Sequence, residues 1–358
     1  MWVHDVCQLH RDLVAIPSLS HQEKEAADLL ESVFSATHLT EKGLKVTRID
    51  DNIVVEWGDG PTTLLLNSHL DVVPPSSDHP YPPFEPTVAN DRVYGRGSVD
   101  AKASVASMAT ALIRLVKEGF VPKGKVMAAF TTCEETGGEN NGLERILPDL
   151  PRIDAALVGE PTHMQPCVAQ KGLLILRLDA KGVSAHAARA EEGENAIQKM
   201  ARDLVALNSL VFEKVHPYLG KTTANVTVIN GGTARNSIPD LCSAFIDIRS
   251  TPSYTHDEIA AFVQDHVDSE VHIHSKRFVP TDTDPNERVV RACLKASEGS
   301  VAFGSPTMSD WIHLKGIPTV KIGPGDSRLS HTAGESILID ELASSCVIYQ
   351  DIIKHFFE

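Results

Sequence analysis

Apolar residues in the first half of the chain follow two alternating patterns. Amphipathic spacing predicts helices over residues 4–16, 21–37 and 101–118, and the second has Ser20 as a predicted N-cap with Glu23 completing a capping box. Short uninterrupted apolar runs also occur, namely Ile53–Val55, Thr63–Leu66, Val126–Phe130 and Ala155–Val158. Runs of this length indicate buried strands of a largely parallel sheet. A last run, Pro318–Ile322, and a predicted helix over 339–356 resume that pattern.

The middle of the chain has a different order of elements. The predicted elements are strand 173–180, helix 193–208, strands 223–230 and 241–249, helix 255–267 and strand 270–278. This β-α-β-β-α-β order is typical of a ferredoxin-like domain. The sequence therefore predicts an α/β protein. Residues 1–170 and 281–358 would form a discontinuous, mostly parallel-sheet domain, and residues 171–280 an inserted ferredoxin-like α+β domain.

Composition narrows the class of protein. A chain of 358 residues favours two domains over one core. The net charge of −15 argues against nucleic acid or an anionic membrane as partner, and no apolar run approaches the roughly 20 residues that span a bilayer. The six cysteines are scattered without a Cys-x-x-Cys pair, and the first residues show no secretory leader. These features favour a cytoplasmic protein with reduced thiols that acts on a small molecule.

Metal-ligand residue types follow three of the predicted strands. His69 and Asp71 follow the second apolar run, Glu134 and Glu135 the third, and Glu160 the fourth. In open α/β sheets ligands bind at the carboxyl ends of the strands, and buried carboxylates are costly unless they are paired or bind a metal. Each residue alone has a structural explanation, such as a hydrogen-bonded histidine, a solvated acidic pair or a turn. Their common position favours one metal site.

Two more segments add candidate ligands. Asp100 stands at the start of a predicted helix, where it could instead be an N-cap, and His331 follows the turn Gly323-Pro324-Gly325. Two histidines and three carboxylates suffice for two zinc ions if one carboxylate bridges them. One further carboxylate must then accept the proton of the attacking water and pass it to the leaving amine. Glu134 is available for that role.

Together these motifs resemble a known family. His69-x-Asp71, Asp100 in Gly-x-Gly-x-x-Asp, Glu134-Glu135, Glu160 in Gly-Glu-Pro-Thr and His331 are similar to the metallopeptidase family of acetylornithine deacetylase, succinyl-diaminopimelate desuccinylase, aminoacylase and carboxypeptidase G. The resemblance implies two Zn²⁺ ions, for which Co²⁺ or Mn²⁺ can substitute. One ion would be held by His69, Asp100 and Glu160, and the other by Asp100, Glu135 and His331. Glu134 would be the general base, and Asp71 would orient His69.

The inserted domain shares further segments with that family. Its Gly-x-x-x-His segment contains His186, which the resemblance implies as an oxyanion-stabilising residue that reaches across a homodimer interface. Asn236, in Asn-Ser-Ile-Pro-Asp, and Arg249, in Asp-Ile-Arg, would bind the α-carboxylate of the substrate. The alternatives are a solvated histidine at a strand end for His186 and, for Arg249, a structural ion pair with Asp247 or a neighbour.

The substrate expectation also rests on the resemblance. Residues 159–166, 185–189, 303–310 and 321–325 look most similar to acetylornithine deacetylases of arginine biosynthesis, some relatives of which act on acetylcitrulline or succinylornithine. Arg328 is a candidate partner for a succinyl carboxylate, or else a solvated loop residue. Two other functions stay open at this point, a di- or tripeptidase of the same architecture and a non-enzymatic binding protein on this fold.

Overall fold

The computed structural model describes residues 2–35 and 37–358. The helices of this part of the chain are α1 Trp2–Val14, α2 Lys24–Phe34, α3 Thr37–Thr40, α4 Lys102–Glu118, α5 Gly142–Ile146, α6 Ala196–Asn208, α7 His256–Gln264, α8 Arg288–Ala296 and α9 Ile339–Phe357. The strands are β1 Lys45–Ile49, β2 Asn52–Trp57, β3 Thr63–His69, β4 Thr87–Ala89, β5 Arg92–Tyr94, β6 Lys125–Thr131, β7 Ala155–Val158, β8 Cys167–Gln170, β9 Gly172–Lys181, β10 Ala185–His186, β11 Val215–His216, β12 Gly220–Lys221, β13 Thr223–Gly231, β14 Ser237–Ile238, β15 Leu241–Ser250, β16 Glu270–Phe278, β17 Thr281–Asp282, β18 Phe303–Ser305, β19 Thr319–Lys321 and β20 Ser336–Leu338.

The chain folds into two compact units. The larger unit contains the residues up to Val168 together with Thr283–Phe303 and Ser309–Glu358. The smaller unit contains Ala169–Asp282 and Gly304–Met308. The domain limits predicted from the sequence, near residues 170 and 281, lie close to the limits of these units. That the two units are independent domains stays a proposal.

The larger unit is built on a mixed sheet with a parallel centre. Its strands lie in the order β1-β2-β6-β3-β7-β19, in which β3 runs parallel to β6 and β7, and β7 runs parallel to β19. Every residue of β3 and β7 is buried. Strands covered on both faces need apolar residues at successive positions, which explains their uninterrupted apolar runs. The predicted fold class is confirmed.

Helices cover this sheet. Helix α4 is buried along most of its length, packs against α1 and α9, and ends at Gly119 in the left-handed conformation. One hydrophobic core of the larger unit includes Leu65 and Met127 from the sheet, Leu143 from α5, and Trp311. Within the described residues, no helix is long and apolar enough to cross a membrane.

The start of the second helix differs from the prediction. Helix α2 begins at Lys24, and residue 36 of the predicted segment 21–37 lies outside the described residues. The predicted capping box is wrong, because Glu23 precedes the helix without a capping hydrogen bond from its side chain. Ser20 and Glu23 instead bond to distant residues: Ser20 donates to Asp71, and Glu23 accepts from the backbone N–H of Cys133. The side chains of Ser20 and Glu23 therefore make tertiary contacts and do not cap the helix.

The smaller unit has the ferredoxin-like strand order. Its antiparallel sheet runs β13-β15-β9-β16, with α6 following β9 and α7 following β15 in the chain. Alternate residues of β9 and β15 are buried, which places Leu176 and Ile246 in a core with Met200 of α6 and Ile259 of α7. One face of the sheet is therefore covered by helices.

Candidate metal centre

Three neighbouring strands of the larger unit lead to the candidate ligands. His69 is the last residue of β3, Glu134 and Glu135 follow the end of β6, and Glu160 follows the end of β7. Because β6, β3 and β7 are adjacent and parallel, their carboxyl ends meet at one edge of the sheet. The topology thus brings these side chains together.

Asp100 and His331 complete the cluster from two loops. Asp100 is not the N-cap of α4, because Ala101 holds that position and helical residues begin at Lys102. The peptide bond between Asp100 and Ala101 is cis. His331 has a φ of 64°, in the left-handed region, and lies between a short 3-10 turn at Ser327–Leu329 and strand β20. Neither loop conformation was predicted.

The two carboxylate oxygens of Asp100 face different histidines. Oδ1 lies 3.3 Å from Nε2 of His69, which is also 3.8 Å from Oε1 of Glu160. Oδ2 lies 3.5 Å from Nε2 of His331, which is 2.9 Å from Oε1 of Glu135. Each set of three offers ligand atoms within 4.8 Å of one another. Asp100 belongs to both sets, so each set could hold a cation with Asp100 as a shared ligand.

Glu134 belongs to a third such set, with His69 and Glu135. Burial raises the pKa of Glu134 well above its usual range, and the charges of Glu160 and Asp310 add to the effect. Burial likewise raises the pKa of Glu160 to about 8, with the charge of Asp100 as the next cause. Burial alone would lower the pKa of His69, but its hydrogen bond to Asp100 raises it well above its usual range. Burial and mutual repulsion therefore disfavour ionisation of Glu134 and Glu160 in the metal-free chain.

The residues present fit a pair of divalent cations. Imidazole nitrogen and carboxylate oxygen are ligands that zinc accepts, and the shared Asp100 reduces the number of protein ligands that two ions need. A cation in each set would offset the effects of burial and of repulsion, which together raise the pKa of Glu134 and Glu160. Both the ligand types and the raised pKa values therefore favour two bound cations.

Asp71 has more partners than the sequence indicated. It is fully buried, and its Oδ1 lies 3.4 Å from Nδ1 of His69, which also lies 3.0 Å from the Asp71 carbonyl oxygen. Its carboxylate also accepts the Ser20 hydroxyl at 2.7 Å and the backbone N–H groups of Glu134 and Glu135 at 3.1 Å each. One side chain thus positions a histidine and the loop that carries both glutamates.

Asp310 was missed as a site residue. It is buried, accepts a hydrogen bond from the Asn141 amide at 2.6 Å and another from the Thr131 hydroxyl at 3.2 Å. Burial raises the pKa of Asp310, and its charge contributes to the raised pKa of Glu134. No local motif marks it, since its partners come from distant segments.

The remaining candidate residues lie in the smaller unit. His186 is exposed and accepts a hydrogen bond from the Ala188 N–H at its Nδ1, 3.0 Å away. Asn236 is also exposed, and its carbonyl accepts the Ala187 N–H. Arg249 forms the ion pair with Asp247 that was the alternative to substrate binding, with donor–acceptor distances of 2.8 and 3.2 Å.

Strand geometry separates Arg249 from the other two residues. Arg249 pairs with Leu173 and Leu241 pairs with Lys181, so eight residues at about 3.3 Å each place Arg249 roughly 26 Å from the Leu241 end of β15. His186 and Asn236 lie beyond that end, next to the ladder of β10 and β14. That Arg249 and Asn236 bind the same carboxylate stays a prediction, and it has to account for this separation along β15.

Comparison with known proteins now identifies the family. The sequence profile of peptidase family M20/M25/M40 matches residues 65–355, which include the whole ligand cluster. The chain belongs to peptidase family M20/M25/M40. As a family member it is a hydrolase of amide bonds, which confirms the predicted enzyme class.

Relatives of this M20 chain cover its full length. It is 24% identical to a probable succinyl-diaminopimelate desuccinylase of Staphylococcus epidermidis, over 99% of this chain and 98% of that protein. It is 26% identical to a succinyl-diaminopimelate desuccinylase of Wolbachia pipientis, over 99% and 94%. The resemblance to the family that includes these enzymes is confirmed.

Solved M20 structures share the fold. The aminopeptidase PepT of Bacillus cereus superposes with a TM-score of 0.78 at 23% identity, covering 99% of both chains. A dinuclear metal-binding peptidase of the M20 family from Bacillus subtilis superposes with a TM-score of 0.73 at 15% identity, covering 100% of this chain and 99% of that one. At these identities the likeness shows the α/β architecture alone.

Proposed function

We propose that this chain is a two-zinc deacylase that hydrolyses the amide bond of an N-acyl amino acid. The observation that carries the proposal is Asp100, whose two oxygens face His69 and His331 beside the half-buried Glu134. His69, Asp100 and Glu160 would hold one ion, and Asp100, Glu135 and His331 would hold the other. When bound, the two ions supply Lewis acidity to the scissile carbonyl and lower the pKa of the attacking water.

Glu134 is the general base of the proposed reaction. Its carboxylate offers an oxygen within 4.8 Å of ligand atoms of His69 and Glu135, beside both proposed ions, where a carboxylate can take up a proton. It accepts a proton from the attacking water and returns the proton to the departing amine. Asp71 keeps Glu134 in place through its backbone N–H and holds His69 in the orientation that directs Nε2 toward Asp100.

Residues of the smaller unit bind the substrate and the developing oxyanion. Arg249 exchanges its contact with Asp247 for the α-carboxylate of the substrate, which a guanidinium binds with two parallel hydrogen bonds. His186 stabilises the oxyanion and Asn236 adds a hydrogen bond to the carboxylate. Because Arg249 lies roughly 26 Å along β15 from its Leu241 end, next to which His186 and Asn236 lie, we assign His186 and Asn236 to a second copy of the chain, in a homodimer formed through the smaller unit.

Two acyl amino acids are the leading substrates. The sequence segments similar to acetylornithine deacetylases favour N-acetylornithine, which would place the enzyme in arginine biosynthesis in the cytoplasm. The desuccinylase relatives favour N-succinyl-diaminopimelate as the second candidate. Arg328, the candidate reader of a succinyl group, is exposed and bonded to Asp326 through Nε and Nη2. If Arg328→Ala leaves activity on acetyl and succinyl substrates equally intact, that assignment fails.

Amine release from a substrate panel tests the function. The panel contains acetylornithine, acetylcitrulline, succinylornithine, succinyl-diaminopimelate, a free dipeptide and a free tripeptide, each with added Zn²⁺ or Co²⁺ and with a chelator. Glu134→Gln, which keeps the shape of the side chain, is the matched control. Chelator-sensitive release from one N-acyl substrate supports the proposal and identifies the acyl group. Release from the peptides alone would replace it with a peptidase function.

A further inference from the structure

A buried ion pair lies beside the candidate metal centre. Arg96, from the Gly-Arg-Gly segment before Asp100, and Glu335, four residues after His331, are each 1% exposed. Nη1 of Arg96 donates to Oε2 of Glu335 at 2.5 Å. The proposed reaction uses neither side chain. Burying both charges costs desolvation energy, and removing one partner would leave the other charge buried and unpaired. A pair without a role would therefore be an unfavourable feature of the fold.

Glu335 fixes the backbone of the bridging ligand. Its Oε1 accepts the N–H of Val99 and the N–H of Asp100, both at 3.0 Å. A carboxylate that accepts two consecutive backbone N–H groups determines the position of that peptide segment. The Asp100 side chain is therefore held in place by a charged anchor from the segment that carries the other histidine.

Arg96 fixes the loop of the second histidine. Its Nη2 donates to the carbonyl oxygen of His331 at 3.3 Å, and the N–H of Gly95 donates to the carbonyl oxygen of Glu335. His331 has a φ of 64° and a half-exposed side chain, so its own packing does little to hold it. The guanidinium holds the His331 backbone instead, because its planar group donates to Glu335 from Nη1 and to the His331 carbonyl from Nη2 at the same time.

We propose that Arg96 and Glu335 are a positioning pair for the second metal ion. The inference rests on the proposed two-ion centre, and it assigns the pair to the ion held by Asp100, Glu135 and His331. The pair contacts Asp100 and His331, whereas none of its hydrogen bonds within the described chain reaches His69 or Glu160. The second ion consequently depends on the pair at two ligands, and the first ion only through the shared Asp100.

Titration of the metal-free full-length chain with Co²⁺ tests this inference. Isothermal titration calorimetry gives the affinity of each ion, and the d–d absorption of Co²⁺ reports its coordination. Glu335→Gln keeps the side-chain shape, but the NH₂ group of Gln must then face either the Arg96 guanidinium or the two backbone N–H groups. All of these are donors, so at least one hydrogen bond is lost. The expected result is a second ion weakened about 10- to 100-fold, with the first ion weakened less.

A matched control comes from the smaller unit. Asp203 is also buried, and its carboxylate accepts two consecutive N–H groups, from Asp268 at 2.9 Å and Ser269 at 3.0 Å. Asp203→Asn should leave both Co²⁺ affinities at the wild-type values. Arg96→Lys is the second test variant, for use if Glu335→Gln does not fold. It retains the charge next to Glu335 but cannot also hold the His331 carbonyl, so it too should weaken the second ion selectively.

The outcomes separate this inference from the proposed function. Wild-type protein that binds fewer than two Co²⁺ ions per chain overturns the two-ion centre and the inference with it. Two ions in the wild type, with equal weakening of both ions in Glu335→Gln and Arg96→Lys, overturn the positioning role alone. The positioning role also fails if the second-ion affinity of these variants equals that of Asp203→Asn.

Discussion

Replacing Glu160 by Gln should stabilise the metal-free protein and destabilise the metal-loaded one. Burial and the neighbouring charge of Asp100 raise the pKa of Glu160 from 4.5 to about 8 in the folded chain. Because folding raises this pKa, the folded state binds the proton more tightly than the unfolded chain does. The free energy of unfolding therefore falls as the pH rises from about 4.5 to about 8.

The size of the effect follows from the two pKa values. One pKa unit corresponds to about 1.36 kcal/mol, so the ionisable Glu160 costs about 3 kcal/mol at pH 7, about 1 kcal/mol at pH 5, and about 5 kcal/mol above pH 8. Gln resembles the protonated glutamate and cannot ionise. Glu160→Gln should therefore raise the free energy of unfolding by about these amounts in the absence of metal.

Denaturant unfolding in the presence of a chelator measures the difference at pH 5, 6, 7 and 8. Tryptophan fluorescence reports on the larger unit, since Trp57 and Trp311 are buried there and Trp2 belongs to the same unit. The gain should grow with pH. With saturating Zn²⁺ the sign should reverse, because the variant lacks a ligand and ligand binding stabilises the folded state. A variant that is less stable than the wild type at pH 7 without metal would refute the argument that burial and the charge of Asp100 disfavour ionised Glu160.

Three other predictions concern catalysis and binding. Glu134→Gln should lower kcat about 10²- to 10⁴-fold while elemental analysis still finds two metal ions per chain, and wild-type turnover would contradict its assignment as general base. Asp71→Asn sets an NH₂ group against the donors that surround Asp71, so zinc affinity measured by chelator competition should fall about 10- to 100-fold. An unchanged affinity would show that Asp71 does not position the ligands. Arg249→Lys loses one of two charge-assisted hydrogen bonds to the substrate, so KM should rise at least about 10-fold with kcat changing less. A KM equal to that of the wild type would leave Arg249 as the partner of Asp247 alone.

The pattern of apolar residues along the sequence was sufficient to predict elements that are long or uniformly buried. The run Ala155–Val158 coincides with β7, and the predicted helix over 101–118 lies within one residue of α4. Both are long or uniformly buried, so the local sequence reflects their environment. The three-residue strands β4, β5 and β20 were missed, because they are too short for a periodic pattern and β20 pairs with β5 from a distant part of the chain.

The ligand-type residues could be predicted because each follows a recognisable strand or turn. Their supporting residues could not, since support depends on contacts between distant segments. Asp310 and Glu335 are buried carboxylates whose partners lie more than a hundred residues away. Ser20 and Glu23 fitted a local capping box, yet their side chains bond to Asp71 and Cys133, which come from distant parts of the chain.

The position of β19 in the sheet affects how the chain can be made. Strand β7 pairs with β3 on one side and with β19 on the other, but β19 follows the entire smaller unit in sequence. While the chain grows on the ribosome, β7 is an apolar strand with one open edge until β19 has been synthesised. Open edges of this kind recruit other strands, so a nascent or truncated chain that stops before Thr319 is prone to aggregate. Completion of the sheet and arrival of His331 occur in the same late stage of synthesis.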